Sequence, residues 1–321
     1  MNQFFFRISP VSSAIGLVSV ALFLTASLAY GASNTATGSP TAVELSAAAQ
    51  SPSQHKHTLP SVFRKGNVYI KVSINSHPDA WMILDTGSSN SMIDPAYAKL
   101  IELKLTVKAE TTDGFGSTKM ETFDTDTVHL RVGDEEERMV PFESIALGGM
   151  MGPDGVAVAG ILGYSFLEKK SIVIDYKHEE VYFDTSAKRA NRLDMAMTLK
   201  NGLPIIKLKI ASRSISSLID TGGSYDVIIT PAMAKELGIK NLMADAKSTG
   251  TVGHGGEQHI VVGKAPVMTI GDLVVRDMNA AYTTFGTASE EIGASVSLGI
   301  GFLKNYKVTL NYAANTVRFE P

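Results

Sequence analysis

The chain has 321 residues, no cysteine, 29 Lys+Arg against 32 Asp+Glu and a formal net charge of -3. That profile fits a globular chain of one or two domains, and its near-neutral balance lacks the basic footprint that nucleic acid requires, so no nucleic-acid partner is expected. The missing cysteines exclude disulfides, thiolate zinc centres, iron-sulfur clusters, a lipidated cysteine and a cysteine nucleophile.

Residues 1–31 read as an export signal. Arg7 precedes a mostly apolar run from Ala14 to Leu24, and the small residues Ala26, Ser27, Ala29, Gly31 and Ala32 follow. Cleavage after Ala29 or after Gly31 satisfies the small-x-small rule. Left uncleaved, the segment would be a short N-terminal membrane attachment, although its apolar run falls below the ~20 residues that span a bilayer. The expected location is therefore exported, periplasmic or secreted. Residues 32–58 are rich in Ser, Thr, Ala, Pro and Gln and hold too little apolar surface to offset ordering, so a flexible tether is expected. His55 and His57 flank Lys56 there without further ligands, which reads as a solvated pair, and no metal site is assigned.

A long internal repeat follows the tether. Leu84-Asp85-Thr86-Gly87 recurs as Ile219-Asp220-Thr221-Gly222, an offset of 220 minus 85, or 135. Asp94-Pro95-Ala96 recurs as Thr230-Pro231-Ala232 at offset 136, each time with a capping residue before Pro at a first helical position. Leu162-Gly163 matches Leu298-Gly299, and Asp175-Tyr176 matches Asn311-Tyr312, again at offset 136. Four blocks in one order and phase imply duplicated lobes, placed at 59–186 and 198–321 with a polar linker at 187–197. Short or alternating apolar runs such as Val68-x-Ile70-x-Val72-x-Ile74 and Ile206-x-Leu208-x-Ile210 read as strands. Gly133-Asp134-Glu135-Glu136-Glu137-Arg138 reads as a charged hairpin turn and His178-Glu179-Glu180 as a strand turn. The fold class is mainly β, two duplicated lobes each with a short helix.

One Asp-Thr-Gly is weak evidence, because Asp and Gly are ordinary turn residues. Two copies in phase with the repeat, each behind an apolar run, point to a paired site between the lobes. Two carboxylates brought together cannot both ionise cheaply, so the pair holds one proton over an acidic to neutral range. Asp85 or Asp220 can then deprotonate a bridging water while the other protonates a carbonyl oxygen, which is amide hydrolysis without metal or cofactor. Thr86 and Thr221 are expected to hydrogen-bond across the interface, while Gly87 and Gly222 let backbone N–H groups approach the carboxylates.

These motifs resemble the pepsin and retropepsin superfamily of aspartic proteases, in particular bacterial retropepsin-like proteins with two lobes in one chain. The likeness spans essentially everything after the tether. It implies the bilobal acid protease fold, with the active site between the lobes, catalytic roles for Asp85 and Asp220, and interlocking roles for Thr86 and Thr221. Ile161-Leu162-Gly163 and Ser297-Leu298-Gly299 match the family's later hydrophobic-Gly motif, which threads beneath each catalytic loop. The resemblance also implies a polypeptide substrate with apolar side chains flanking the scissile bond. With both aspartates in one chain, a monomer is expected.

The family closes a Gly-rich hairpin flap over its peptide. Two stretches fit, one around Gly114, Phe115 and Gly116 and one around Gly253, His254 and Gly255; the second lacks the Lys-Ser/Thr ending of a phosphate loop. Pepsin-like enzymes, which the motifs resemble, carry Ser or Thr after each Gly to hydrogen-bond an outer carboxylate oxygen. Here lobe one has Ser88 and lobe two has Gly223, so Asp220 is expected to lose a stabiliser of its ionised form, giving a mildly acidic activity optimum. The first flap has no Tyr. The rival reading is a non-catalytic peptide- or protein-binding module on the same fold, which would not need two intact Asp-Thr-Gly loops.

Overall fold

The structure, a computed structural model, describes residues 56–108, 112–113, 119–185, 193–238, 247–253, 256–283 and 288–321. The expected export signal, most of the tether and most of the linker lie outside these residues.

Period-two patterning places the core. In the strand Asn67–Ile74, Val68, Ile70, Val72 and Ile74 enter the main hydrophobic core, while Tyr69 faces the other way and joins Ile83, Met92 and Ile161 in a second buried cluster. The central strands are therefore buried on both faces.

Duplication is visible in the sheet order. In the first lobe Ala80–Leu84 lies between Asn67–Ile74, antiparallel, and Gly160–Leu162, parallel, with Leu162 opposite Leu84. Ser91–Ile93 and Phe142–Ser144 follow outward. In the second lobe Arg213–Ile219 lies likewise between Leu203–Ile210 and Val296–Leu298, with Leu298 opposite Ile219, and Val227–Ile229 and Asn279–Thr283 follow. Both lobes are curled ten-stranded sheets, and the architecture is the mainly β, bilobal one expected.

A six-stranded sheet joins the lobes. At its centre Ser171–Asp175 pairs antiparallel with Lys307–Asn311, and Val173 stands opposite Thr309, its own duplicate 136 positions later (309 minus 173). A residue facing its duplicate across an antiparallel pair puts a local twofold axis between them. Lys56–Thr58 forms one edge strand against Glu180–Asp184, and Met195–Ala196 pairs with Thr316–Glu320 at the other. The last residues of the stretch read as a tether thus join a sheet, and His57 Nδ1 lies 3.3 Å from Glu135 Oε1. His55 lies outside the described residues.

The helices Pro95–Leu100 and Pro231–Glu236 start where cap and Pro imply, with Asp94 accepting from the Ala96 N–H and Thr230 from the Met233 N–H. Each lobe also has a one-turn helix after its hydrophobic-Gly motif, Tyr164–Leu167 and Ile300–Leu303, too short for a periodic signal. The charged stretch after Gly133 is narrower as a turn than expected: Val132 pairs with Glu135, so only Gly133 and Asp134 turn and Glu135–Val140 is strand. Asp94 serves twice, since Oδ1 caps the helix and Oδ2 accepts from the Leu147 N–H at 2.9 Å. Asp94→Ala is expected to cost about 1–3 kcal/mol of stability, read as a lower urea midpoint at unchanged slope.

Candidate active site

Each aspartate sits where a strand of its lobe ends in a tight loop. The backbone N–H of Asp85 donates to Leu162 O at 3.0 Å and that of Asp220 to Leu298 O at 3.0 Å, so the neighbouring parallel strand steers both loops alike. Within each loop a glycine N–H returns to the carboxylate: Gly87 donates to Asp85 Oδ1 at 2.7 Å and Gly222 to Asp220 Oδ1 at 3.0 Å. The approach across the axis is as close. A Cβ on Gly222 would stand 2.4 Å from Asp85 Cγ, so only glycine lets one loop pass the other's carboxyl.

The threonines interlock the loops. Thr86 N–H donates to Thr221 Oγ1 at 3.0 Å and Thr221 N–H to Thr86 Oγ1 at 3.1 Å. Each hydroxyl then donates onward across the interface, Thr86 to Ile219 O at 2.7 Å and Thr221 to Leu84 O at 2.9 Å. All four bonds are buried, and they join residues 133 to 137 apart in sequence. The structure thus gathers Asp85, Thr86, Gly87, Asp220, Thr221 and Gly222 into one constellation on the local twofold axis.

A family profile described as aspartyl protease matches residues 70–166 and again residues 206–302, one match per lobe and each containing an Asp-Thr-Gly loop. The chain belongs to the aspartyl protease family. No curated protein matches the chain.

In this aspartyl protease family member, the electrostatics of the pair follow from burial. Asp85 is 0% and Asp220 1% exposed. Burial, then the charge of Asp220, lifts the Asp85 carboxyl well above the usual carboxylate range. Burial also lifts Asp220, to about 6, but hydrogen bonds to its charged form oppose the rise, first from Tyr225 and then from Gly222. The two carboxyls interact directly, so the pair retains a proton that a free carboxyl would release. Tyr176 and Tyr312, duplicates that follow the two central strands of the shared sheet, have buried hydroxyls with no hydrogen-bond partner among the described residues. Burial first, and then the charges of Asp220 and Asp85 respectively, keep both phenols protonated.

The outer oxygens reverse the asymmetry read from the sequence. Ser88 Oγ donates to Asn90 O at 2.6 Å, so it does not stabilise Asp85, whose buried Oδ2 receives no hydrogen bond from any donor among the described residues. Asp220, expected to lack a donor because Gly223 replaces a hydroxyl residue, has one: Tyr225 OH donates to Asp220 Oδ2 at 2.5 Å. Sequence reasoning missed Tyr225. Its trace is the repeat offset, which rises from 135 at the aspartates to 136 at the next strands, so lobe two has one extra residue in the turn that holds this tyrosine.

The flap expectations are only partly described. Lys247–Gly253 and Gly256–Lys264 pair antiparallel as far as Gly253 opposite Gly256, so the second Gly-rich stretch supplies two arms of a hairpin. Thr112–Asp113 pairs with Lys119–Met120 in the first lobe. His254 and Gly255, and also Gly114, Phe115 and Gly116, lie outside the described residues.

Thr86→Val keeps the shape but strips the Thr221 N–H and the Ile219 carbonyl of their partner. An expected loss of about 2–5 kcal/mol would appear in equilibrium denaturation. The carboxyls give a pH signature as well. Because the folded chain keeps a proton on Asp85 that the unfolded chain releases above about pH 4, wild-type stability falls as pH rises from there toward the raised folded value. Asp85→Asn escapes that penalty, so its Tm is expected to exceed the wild type's at pH 8 and to approach it near pH 4.

Proposed function

We propose that the protein is an aspartic endopeptidase that hydrolyses peptide bonds with a water activated by Asp85 and Asp220, acting as a monomer on exported polypeptides. The observation that carries this reading is the buried carboxyl pair, held together across two duplicated loops by the reciprocal threonine bonds. A binding surface gains nothing from two buried, mutually repelling carboxyls, whereas a hydrolase gains a base and an acid in one place.

In the reaction, a water between the carboxyls loses a proton to the ionised Asp220 as its oxygen bonds to the scissile carbonyl carbon. The proton on Asp85 passes to the carbonyl oxygen, giving a neutral tetrahedral diol. Collapse breaks the C–N bond, one diol proton returns to the Asp85 carboxylate and the proton on Asp220 goes to the departing nitrogen, which restores the starting dyad. The apolar run at residues 14–24 supports export of the enzyme to its substrates.

Chain from residue 33 onward, incubated with a mixed peptide library and read by mass spectrometry, is expected to cleave peptides. Asp85→Asn and Asp220→Asn should each lower kcat/KM by about 10²–10⁴-fold or more. Since Asp220 must be ionised and Asp85 protonated, the rate should fall as pH drops below about 6 and again as pH rises through the higher value of Asp85. Equal background from wild type and both variants would favour a binding module instead.

A further inference from the structure

We propose that Tyr225 is a positioning residue that breaks the symmetry of the pair, holding Asp220 as the carboxylate and leaving Asp85 as the proton carrier. The roles assigned rest on the peptidase reading, but the ionisation order does not.

Three observations on geometry carry it. First, the two outer oxygens are unequal, because Tyr225 OH donates to Asp220 Oδ2 whereas Asp85 Oδ2 receives nothing from the described donors. A hydrogen bond to a charged acceptor favours the charged form, so the carboxyl that receives it gives up its proton first. Second, the ring occupies the place of a missing side chain. A Cβ on Gly223 would stand 2.5 Å from Tyr225 Cε1, 2.6 Å from Cζ and 2.8 Å from Asp220 Oδ2. Glycine at 223 and tyrosine at 225 are therefore one device: the first makes room for the ring, and the ring returns a hydroxyl to the oxygen that the usual Ser or Thr would have reached.

Third, the phenol is fixed from all sides. Tyr225 is 9% exposed and packs in a small apolar cluster with Ile228, Ile260 and Ala281. Ser297, from the strand beside the Asp220 loop, hydrogen-bonds the phenol oxygen, which leaves the phenol proton pointing at Asp220. Burial and the neighbouring Asp220 charge push the phenol well above its ordinary value, so it remains a donor wherever the dyad titrates. Among the described residues, the titratable groups acting around the pair are the two carboxyls, Tyr225 and, following the shared central strands, Tyr176 and Tyr312. The phenols stay protonated, so the ionisation order falls to the hydrogen bonds.

The test is a carboxyl carbon-13 NMR titration of the full chain from pH 3 to 9, with Tyr225→Phe, which removes one oxygen, and Gly223→Ala, whose methyl takes the ring's place. In the wild type Asp220 should ionise first. In both variants that first ionisation should move up by about one pH unit, a tenfold change in proton affinity. The acid limb of kcat/KM should move by the same amount while KM changes little, a split that a merely structural loss would not produce. Titrations that match the wild type in both variants, or Asp85 ionising before Asp220, would overturn the assignment. Should the shift appear in a chain that cleaves no peptide, the positioning stands and the peptidase reading fails.

Discussion

Two carboxyls buried at one place repel each other once both ionise, and everything around them answers that constraint. The response here is mechanical as well as electrostatic. Four buried hydrogen bonds between the Thr86 and Thr221 loops fix the carboxyls from opposite lobes, so neither loop can relax away without orphaning backbone groups of the other. Glycine at 222 allows the approach, and glycine N–H groups at 87 and 222 supply partial positive charge to the pair.

The rest of the fold delivers the two loops to a common point. Each loop hangs from a strand whose parallel neighbour, Gly160–Leu162 or Val296–Leu298, bonds the aspartate's own N–H. The shared six-stranded sheet then relates the lobes about an axis at Val173 and Thr309. Both lobes use the same polar pairing behind the loops with its chemistry exchanged: Asn90 Nδ2 donates to Glu143 Oε1 in one, and Asn279 Nδ2 donates to Asp226 Oδ2 in the other. Duplication preserved the contact and let the residue types drift.

The lobes depart from symmetry at the outer carboxylate oxygens. A symmetric pair would share its proton evenly. Here one additional residue in the lobe-two turn accompanies a phenol on Asp220, while Ser88 turns to its own backbone. Local chain geometry thus makes the two carboxyls unequal.

Much of this was legible in the sequence because the signals are local or periodic. The doubled Asp-Thr-Gly, the Asp-Pro and Thr-Pro helix starts and the alternating apolar runs each report on a few adjacent residues, and a duplicated chain repeats the report. From these alone came the mainly β class, the two lobes and the pairing of the aspartates, while the threonine lock was implied by the family resemblance. Hydrogen-bond partnership at the outer oxygens was not readable, because a hydroxyl beside an aspartate in sequence is free to bond its own backbone, as Ser88 does. The direction in which Tyr225 points depends on the space left at Gly223 and on Ser297 from a strand far along the chain. Residue types and spacing thus determined which groups meet, and only the packed tertiary structure decided which of two identical carboxyls receives a donor, since that depends on side-chain direction within a buried turn.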